Sequence, residues 1–185
     1  MEQRPISFNL SVRSVLICLC FFLASMSKGQ DCKFIRNEFD TTKKYVVKIT
    51  EDFKLKGELF SASICSLRLI QNDTLFFAKL FYTYSWGYGH PIILKDSPFS
   101  LYFNDDSLVL YAVRSDTMHS VYSGMNSFPQ LTGKYAISRQ DLERLAQLQI
   151  HKIRFESDRK EYEIPIKKED AENLKIYSAC ILAKP

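Results

Sequence analysis

From residue 45 to about residue 137 the chain alternates apolar with polar side chains, and this period of two residues constrains the fold more than any other feature of the sequence. The alternation predicts a first strand at residues 45–50. Two longer alternating segments follow at 58–70 and 74–84, separated by an Asn-Asp turn signal, and we expect them to form a hairpin. This part of the chain therefore indicates an antiparallel sheet.

A second hairpin is predicted after residue 98, where two apolar segments flank the polar turn from Asn104 to Ser107. Its second strand, at residues 108–114, is apolar on both faces, which is typical of a strand that is covered on both sides. One face carries Leu108, Leu110 and Ala112, and the other carries Val109, Tyr111 and Val113.

The period changes at Ser138, where a helical pattern begins. Ser138 and Asp141 resemble a capping box with Asp in place of the usual Glu or Gln, and they predict a helix at about 139–149. A second helix is predicted at about 168–182, because acidic residues occupy its first turn and apolar residues recur at helical spacing.

Between the two helices the pattern returns to strands, at 150–156 and 161–166, which we expect to form a third hairpin. Pro165 indicates that the second of these strands lies at a sheet edge, because proline has no amide hydrogen to donate. Strands followed by helix, hairpin and helix predict an α+β fold with an antiparallel sheet of about six to eight strands and two helices in the C-terminal half.

The first 29 residues have the features of a removable signal peptide. Two arginines lie in a polar leading region, and an uninterrupted apolar run of ten residues follows at 15–24. That run is well short of the roughly 20 residues that span a bilayer, so it is too short for a transmembrane anchor. Small residues then favour cleavage before Gln30, with Lys28 as the alternative first residue.

Cleavage leaves residues 30–185, a length that fits a single α+β domain with a continuous core. It also lowers the formal net charge from +4 to about +2. Basic and acidic residues are interleaved along the remaining chain, so we expect no nucleic-acid-binding surface. Cys32 lacks the preceding pattern of an acylated lipoprotein cysteine. We therefore expect an exported protein, periplasmic or extracellular, without a stable membrane anchor.

Three cysteines, Cys32, Cys65 and Cys180, remain after the leader is removed. In an oxidising compartment two of them can form a disulfide. Cys65 lies on the expected inward face of a strand, where a free thiol behaves as a small hydrophobic group. The sequence therefore favours a disulfide between Cys32 and Cys180, and Cys65 with Cys180 is the rival pairing.

Metal and acid–base chemistry have little support in the sequence. No spacing of the CxxC or HxxxH type occurs, so we expect no metal site and no cofactor. The G-x-S-x-G, P-loop and HExxH signatures are also absent from the sequence. Catalysis would need the fold to bring His90 or His119 to a carboxylate such as Asp96 or Asp116, whereas His151 is interpreted as a core or sheet-edge residue.

The segment from Tyr82 to Pro91 has the most unusual composition in the chain and contains its only tryptophan. Aromatic rings on a glycine-containing loop can stack on sugars, peptides or protein surfaces. The candidate ligand-binding residues are therefore Tyr84, Trp86, Tyr88 and His90. The alternative interpretation is that the rings of Trp86 and Tyr88 fold over the sheet edge and cap the core.

Two stretches of the chain resemble a group of small exported proteins of Bacteroidetes. The first is the opening of the mature chain, Cys32 to Thr42, with the sequence CKFIRNEFDTT. The second contains Tyr135-Ala-Ile-Ser138, Asp141-Leu142, Leu145 and Ile150-His-Lys-Ile-Arg154. The chain departs from the family pattern at Thr42, where glycine is more typical. The resemblance implies an exported α+β domain in a Gram-negative envelope and supplies no catalytic residues.

Two main classes of function follow from these observations. The sequence favours a non-catalytic envelope or secreted module that binds an unidentified protein, peptide or glycan through an exposed sheet edge or the Trp86 loop. The alternative is a small hydrolase or lyase with a histidine–carboxylate site, which requires those groups to converge within hydrogen-bond reach. A purely structural or dimerising role is a third possibility, favoured by a long unprotected sheet edge.

Overall fold

The structure is a computed structural model that describes residues 32–42, 45–56, 63–84, 90–116, 119–123 and 126–183. These residues belong to one compact unit that runs from Cys32 to Pro185. They form antiparallel strands and two helices in the C-terminal half, which confirms the predicted α+β class. The predicted signal peptide lies outside the described residues.

Seven of the described strands form the larger sheet, sheet A. They are β1 (Phe34–Asp40), β2 (Tyr45–Thr50), β3 (Phe53–Lys56), β4 (Ser63–Asn72), β5 (Leu75–Tyr84), β8 (His119–Ser123) and β9 (Asn126–Ile137). Their order is β1-β2-β4-β5-β9-β8, and β3 also pairs with β4. The predicted hairpin is β4–β5, and its turn residue Asp73 has a φ of 55°. This left-handed conformation is one that Asp tolerates better than most residues.

Four strands form the smaller sheet, sheet B. They are β6 (Pro98–Tyr102), β7 (Ser107–Tyr111), β10 (Lys152–Glu156) and β11 (Glu161–Pro165), in the order β11-β10-β6-β7. Both predicted hairpins in this region are present, and β11 with Pro165 lies at the edge as expected. The division of the strands into two sheets was not predicted from the sequence.

The chain that leaves β7 connects the two sheets. Ala112 forms a bridge with Tyr135 of β9, and the Val113 amide donates a hydrogen bond of 2.9 Å to the Lys134 carbonyl. This short stretch therefore runs from the edge of sheet B to β9 of sheet A, and it brings Arg114 close to Lys134.

The two helices are α1 (Arg139–Gln147) and α2 (Lys168–Leu182). Ser138 caps α1 as predicted: its Oγ accepts a hydrogen bond of 3.0 Å from the Asp141 amide and donates one of 2.6 Å to the Asp141 carboxylate. The helices pack against each other, and α2 also packs against β3 and β4. Among the described helices, neither is long and apolar enough to cross a membrane.

The core lies between the facing sides of the two sheets and the helices. Tyr135 of sheet A packs against Phe99 of sheet B with ring centroids 4.9 Å apart, and Tyr82 meets Phe155 at 5.4 Å. Leu142 on the buried face of α1 and Leu174 on the buried face of α2 belong to the same hydrophobic cluster. Buried aromatic pairs of this kind contribute about 1 kcal/mol each beyond the burial of their surface area.

The prediction that the second strand of the 99–114 hairpin is covered on both sides is wrong. On β7, Leu108 and Leu110 are buried, whereas Val109 is 41% exposed and Tyr111 is 58% exposed. The physical reason is the layer order: β7 lies at the edge of sheet B, and the core covers only its inner face.

The predicted cysteine pairing is the one that the structure contains. Cys32 is joined to Cys180 of α2, with the two Cα atoms 5.9 Å apart, and Cys65 is buried and lies outside the disulfide. The bond spans a sequence separation of 148 residues. Restriction of so long a loop in the unfolded chain contributes about 5 kcal/mol in the chain-entropy description.

Candidate functional site

Three basic residues lie side by side at the centre of sheet A. Arg68 of β4 is the direct partner of Lys79 on β5, and Lys79 is the direct partner of Lys134 on β9. Direct cross-strand partners share a face of the sheet. Their chain neighbours Leu67 and Leu80 point into the core, so the three cations lie on the opposite, outer face. We call Arg68, Lys79 and Lys134 the cation row.

Two phenylalanines of β5 hold the cation row in place. The Lys134 ammonium lies 3.8 Å from the centroid of the Phe77 ring. The Lys79 ammonium and the Arg68 guanidinium each lie 5.1 Å from the centroid of the Phe81 ring. These distances are within the range of attractive cation–π contacts, about 6 Å. The cationic side chains therefore pack on aromatic rings rather than extending into solvent. They lose less conformational entropy when a ligand binds, because they are already ordered.

The positive charge of the row is only partly neutralised. Arg68 makes a bidentate pair with Asp52 at 2.7 and 2.9 Å. In the described part of the chain, Lys79, Lys134 and Arg114 form no ion pair with a carboxylate. Partial burial lowers the pKa of the Lys134 ammonium, and the charges of Arg114 and Lys79 lower it further. The outer face thus has an excess of positive charge that an anion would relieve.

Neutral polar groups lie next to the cations on the same face. Ser66 is half-buried and is the cross-strand partner of Phe81. One step further along the strands, the Gln130 amide donates a hydrogen bond of 3.3 Å to the Thr83 hydroxyl. Hydroxyl and amide groups both donate and accept hydrogen bonds, so they can complement a ligand that carries hydroxyl groups.

The backbone beneath the row is occupied by the sheet itself. β4 pairs with β5 on one side and with β2 and β3 on the other, and β5 lies between β4 and β9. A ligand on this face therefore meets side chains, because the strand N–H and C=O groups are already used in the ladders.

The candidate residues chosen from the aromatic segment lie in different environments. Tyr84 is 3% exposed and packs near Tyr82, with ring centroids 6.0 Å apart, so its burial leaves little surface for a ligand. His90 is exposed. Trp86 and Tyr88 lie outside the described residues, and their role in ligand binding stays a prediction.

The structure brings one of the proposed histidine–carboxylate pairs together. Nε2 of His119 lies 4.0 Å from Oδ1 of Asp116, and the Asp116 backbone is held by a bridge to Ile93. That separation is longer than a hydrogen bond. Asp96 has a φ of 64°. Across the described residues, no group of three or more histidine, cysteine, aspartate or glutamate side chains could hold a metal ion.

Of the two environments expected for His151, the core or a sheet edge, the core is not the one in which its side chain lies. Its backbone is sheet-like: its amide donates to the Tyr102 carbonyl at 3.0 Å, and its carbonyl accepts from the Ile166 amide at 2.8 Å. The side chain is exposed at the start of β10. The period of two placed His151 on the face of Ile153 and Phe155, but its side chain is exposed although those two residues are fully buried.

Sequence reasoning missed the cation row. Each of its members is the only basic residue of its strand, and nothing local distinguishes it from an ordinary exposed position. The available signal was the apolar character of the alternate positions on β4 and β5, which predicted strands with two different faces. Only the register of the strands brings the three cations together.

No family model matches the chain, and no significant match was found among curated proteins or solved structures.

Proposed function

We propose that the protein is an exported, non-catalytic binding module that binds its ligand on the outer face of sheet A. The observation that carries this proposal is the pair of lysines Lys79 and Lys134, which lie on phenylalanine rings and lack a carboxylate partner among the described residues. A folded protein gains nothing in stability from two adjacent like charges. Their arrangement is most useful if an anionic group of a ligand completes it.

The chemistry of the row favours binding over catalysis. Lysine and arginine side chains ordinarily titrate far above neutral pH, so they act as fixed charges. Fixed charges on a preorganised surface attract and orient an anion. Proton transfer at neutral pH most often uses a histidine or a carboxylate, and the cation row contains neither.

Export of the protein is part of the same proposal. The apolar run at residues 15–24 and the small residues before Gln30 support a cleaved leader. The disulfide between Cys32 and Cys180 is typical of an oxidising compartment such as the periplasm or the extracellular space. The resemblance to small exported proteins of Bacteroidetes points to the same location.

The experiment expresses the full chain with its own leader and compares four proteins. They are the wild type, the row variant K79Q/K134Q, the loop variant W86A and the control K168Q/K175Q. The control removes the same number of charges from α2. Each purified protein is immobilised and incubated with the solubilised envelope fraction of the producing cells, and bound protein and bound carbohydrate are quantified. Circular dichroism checks that all four proteins are folded.

We expect a component that the wild type and the control retain and that the row variant loses by about tenfold, since the loss of two favourable charge contacts amounts to about 1.4 kcal/mol. Equal retention by all four proteins would refute the binding proposal. Loss by W86A alone would move the site to the Trp86 loop. Mass measurement of the released protein tests export: a mature chain that begins at Gln30 or Lys28 supports it, and an uncleaved intracellular chain contradicts it.

The second candidate function is a small hydrolase or lyase, and the observation that favours it is the 4.0 Å approach of His119 to Asp116. The test is turnover of a panel of nitrophenyl esters and glycosides by the wild type and by His119→Ala. Turnover that this variant abolishes would establish the enzyme. Absence of turnover, or turnover that survives the substitution, removes this pair as its site.

A further inference from the structure

We propose that the ligand of the outer face of sheet A is an acidic glycan, a polysaccharide that carries negative charges on its sugar units, bound across the strands along the cation row. This inference rests on the proposed function and adds the chemical class of the ligand.

The direction of the row supports a polymeric ligand. Arg68, Lys79 and Lys134 follow one another across three neighbouring strands, and neighbouring strands are about 4.8 Å apart. Arg114 extends the positive charge beyond Lys134, whose pKa it lowers. The row therefore presents a cation at intervals close to the length of one sugar unit, on a sheet face rather than in an enclosed cavity.

The mixture of side chains around the row supports a glycan in particular. Acidic sugars carry both negative charges and hydroxyl groups, and the face offers both kinds of complement. Lys79 and Lys134 supply positive charge, whereas Ser66, Thr83 and Gln130 supply neutral groups that donate and accept hydrogen bonds. An anion without hydroxyl groups would interact with the two lysines but not with the neutral polar groups.

An acidic peptide fits the same face less well. An extended peptide adds to a sheet through its backbone, but β4, β5 and β9 are already paired beneath the row. If an extended peptide lay across the face instead, the side chains on one side of it would recur about every 6.8 Å. The cations of neighbouring strands are about 4.8 Å apart, so the two spacings differ. Its acidic side chains would therefore fall out of step with the cations.

Single-stranded nucleic acid is also disfavoured by the geometry. Proteins that bind it use aromatic rings on which bases stack. The Phe77 and Phe81 rings are instead covered by the cations of the row, and Phe81 is almost fully buried. These rings already contact cations, which leaves less aromatic surface on which a base could stack.

The test measures binding of the purified protein from the full chain to three acidic polysaccharides, polygalacturonate, hyaluronate and heparin, by isothermal titration calorimetry. Methyl-esterified polygalacturonate is the matched uncharged polymer. Poly-glutamate represents an acidic peptide, single-stranded DNA a nucleic acid, and vesicles of phosphatidylglycerol an anionic lipid surface. Each probe is tested with the wild type, K79Q/K134Q and the control K168Q/K175Q.

We expect at least one acidic polysaccharide to bind the wild type and the control, with an affinity that falls as salt is raised because exposed charges are screened. The affinity should fall about tenfold or more in K79Q/K134Q. Methyl-esterified polygalacturonate should bind the wild type no more tightly than the acidic polysaccharide binds K79Q/K134Q. A lack of binding to all three acidic polysaccharides would overturn the inference. So would binding that is indifferent to the row variant.

The remaining outcomes separate this inference from the proposed function. Tighter binding of poly-glutamate, DNA or the vesicles, lost in K79Q/K134Q, would overturn the glycan class and leave the binding face intact. If no envelope component and no probe depends on the cation row, both proposals fail together.

Discussion

Lys48 of β2 donates a hydrogen bond from its ammonium group to the backbone carbonyl of Ala183, the residue that caps the C-terminal end of α2. Helix C-termini carry unsatisfied carbonyls and a partial negative charge, which a nearby cation stabilises. The lysine is only 3% exposed, so its aliphatic stem is packed as well. The contact ties the end of α2 to sheet A.

Substitutions can separate the contributions of the aliphatic stem and the ammonium group of Lys48 to stability. We expect Lys48→Ala to lower the free energy of unfolding by about 2–3 kcal/mol, because both the packed stem and the hydrogen bond are lost. Lys48→Met should recover more than half of that loss, because methionine restores the apolar volume and removes a charge that burial disfavours. Urea unfolding at pH 7 measures both, with Lys95→Met, at an exposed lysine, as the control. Equal losses for Ala and Met would contradict the role given to the stem.

Gly133 of β9 is predicted to be intolerant of any side chain. A Cβ at this position would lie 2.7 Å from Cδ1 of Ile93 and 2.8 Å from the Tyr135 ring. Ile93 and Tyr135 are fully buried and have no free space into which to move. We expect Gly133→Ala to lower the free energy of unfolding by about 1–3 kcal/mol. Thermal unfolding checks this, and Ala136→Val on the exposed outer face should cost much less; equal effects would count against the close packing.

Substitutions at two adjacent residues of β7 should have very different effects on the free energy of unfolding. Leu110→Ala leaves a cavity in the core and should cost about 2–5 kcal/mol. Val109→Thr, one residue away, should change the free energy of unfolding by less than about 0.5 kcal/mol because its side chain is on the uncovered face. Urea unfolding of the two variants compares them directly. A large loss for Val109→Thr would mean that the outer face of sheet B is covered.

The stability of the protein should fall in alkaline solution. Burial raises the pKa of Tyr162 to about 12. An unfolded tyrosine titrates near pH 10, so the unfolded state loses its proton first. The contribution of Tyr162 is therefore complete below pH 10 and is lost as the pH rises towards 12, by up to about 1.4 kcal/mol per pH unit.

Tyr162→Phe should remove this part of the pH dependence. Urea unfolding between pH 9 and pH 11 would show a shallower decline for the variant than for the wild type. Burial also raises the pKa of Tyr135, so some decline remains in both proteins. Tyr111→Phe is the control because Tyr111 is exposed. An unchanged slope in Tyr162→Phe would show that this phenol titrates alike in the folded and unfolded states.

Local patterns predicted three hairpins and both helices because their causes are local, whereas the strands β1, β3 and β8 were not predicted. The Ser138–Asp141 cap, the Asn-Asp turn after β4 and the missing amide of Pro165 each act within a few residues, and each is present in the structure as expected. The pairing of Cys32 with Cys180 was also favoured correctly, because the inward position expected for Cys65 left the two others as partners.

The candidate site could not be predicted in the same way. A period of two residues states which side chains share a face of one strand, but it does not state which strands are neighbours or which residues are opposite. Arg68 and Lys79 face each other within one hairpin, but Lys134 lies much further along the chain, and the three residues meet only through the β4–β5 and β5–β9 registers. The aromatic segment drew attention in the sequence because its residues are adjacent, yet its Tyr84 lies in the core.

The sequence by itself determined the α+β class, the hairpins β4–β5, β6–β7 and β10–β11, the two helices and the Ser138 cap of α1, since these depend on propensities and hydrogen bonds between near neighbours. Tertiary structure alone decided the division into two sheets, the one-sided burial of β7 and the assembly of the cation row. These depend on strand order and layer packing, which are set by the burial of the whole core rather than by any short segment. The function proposed for the outer face of sheet A therefore follows from contacts between distant parts of the chain.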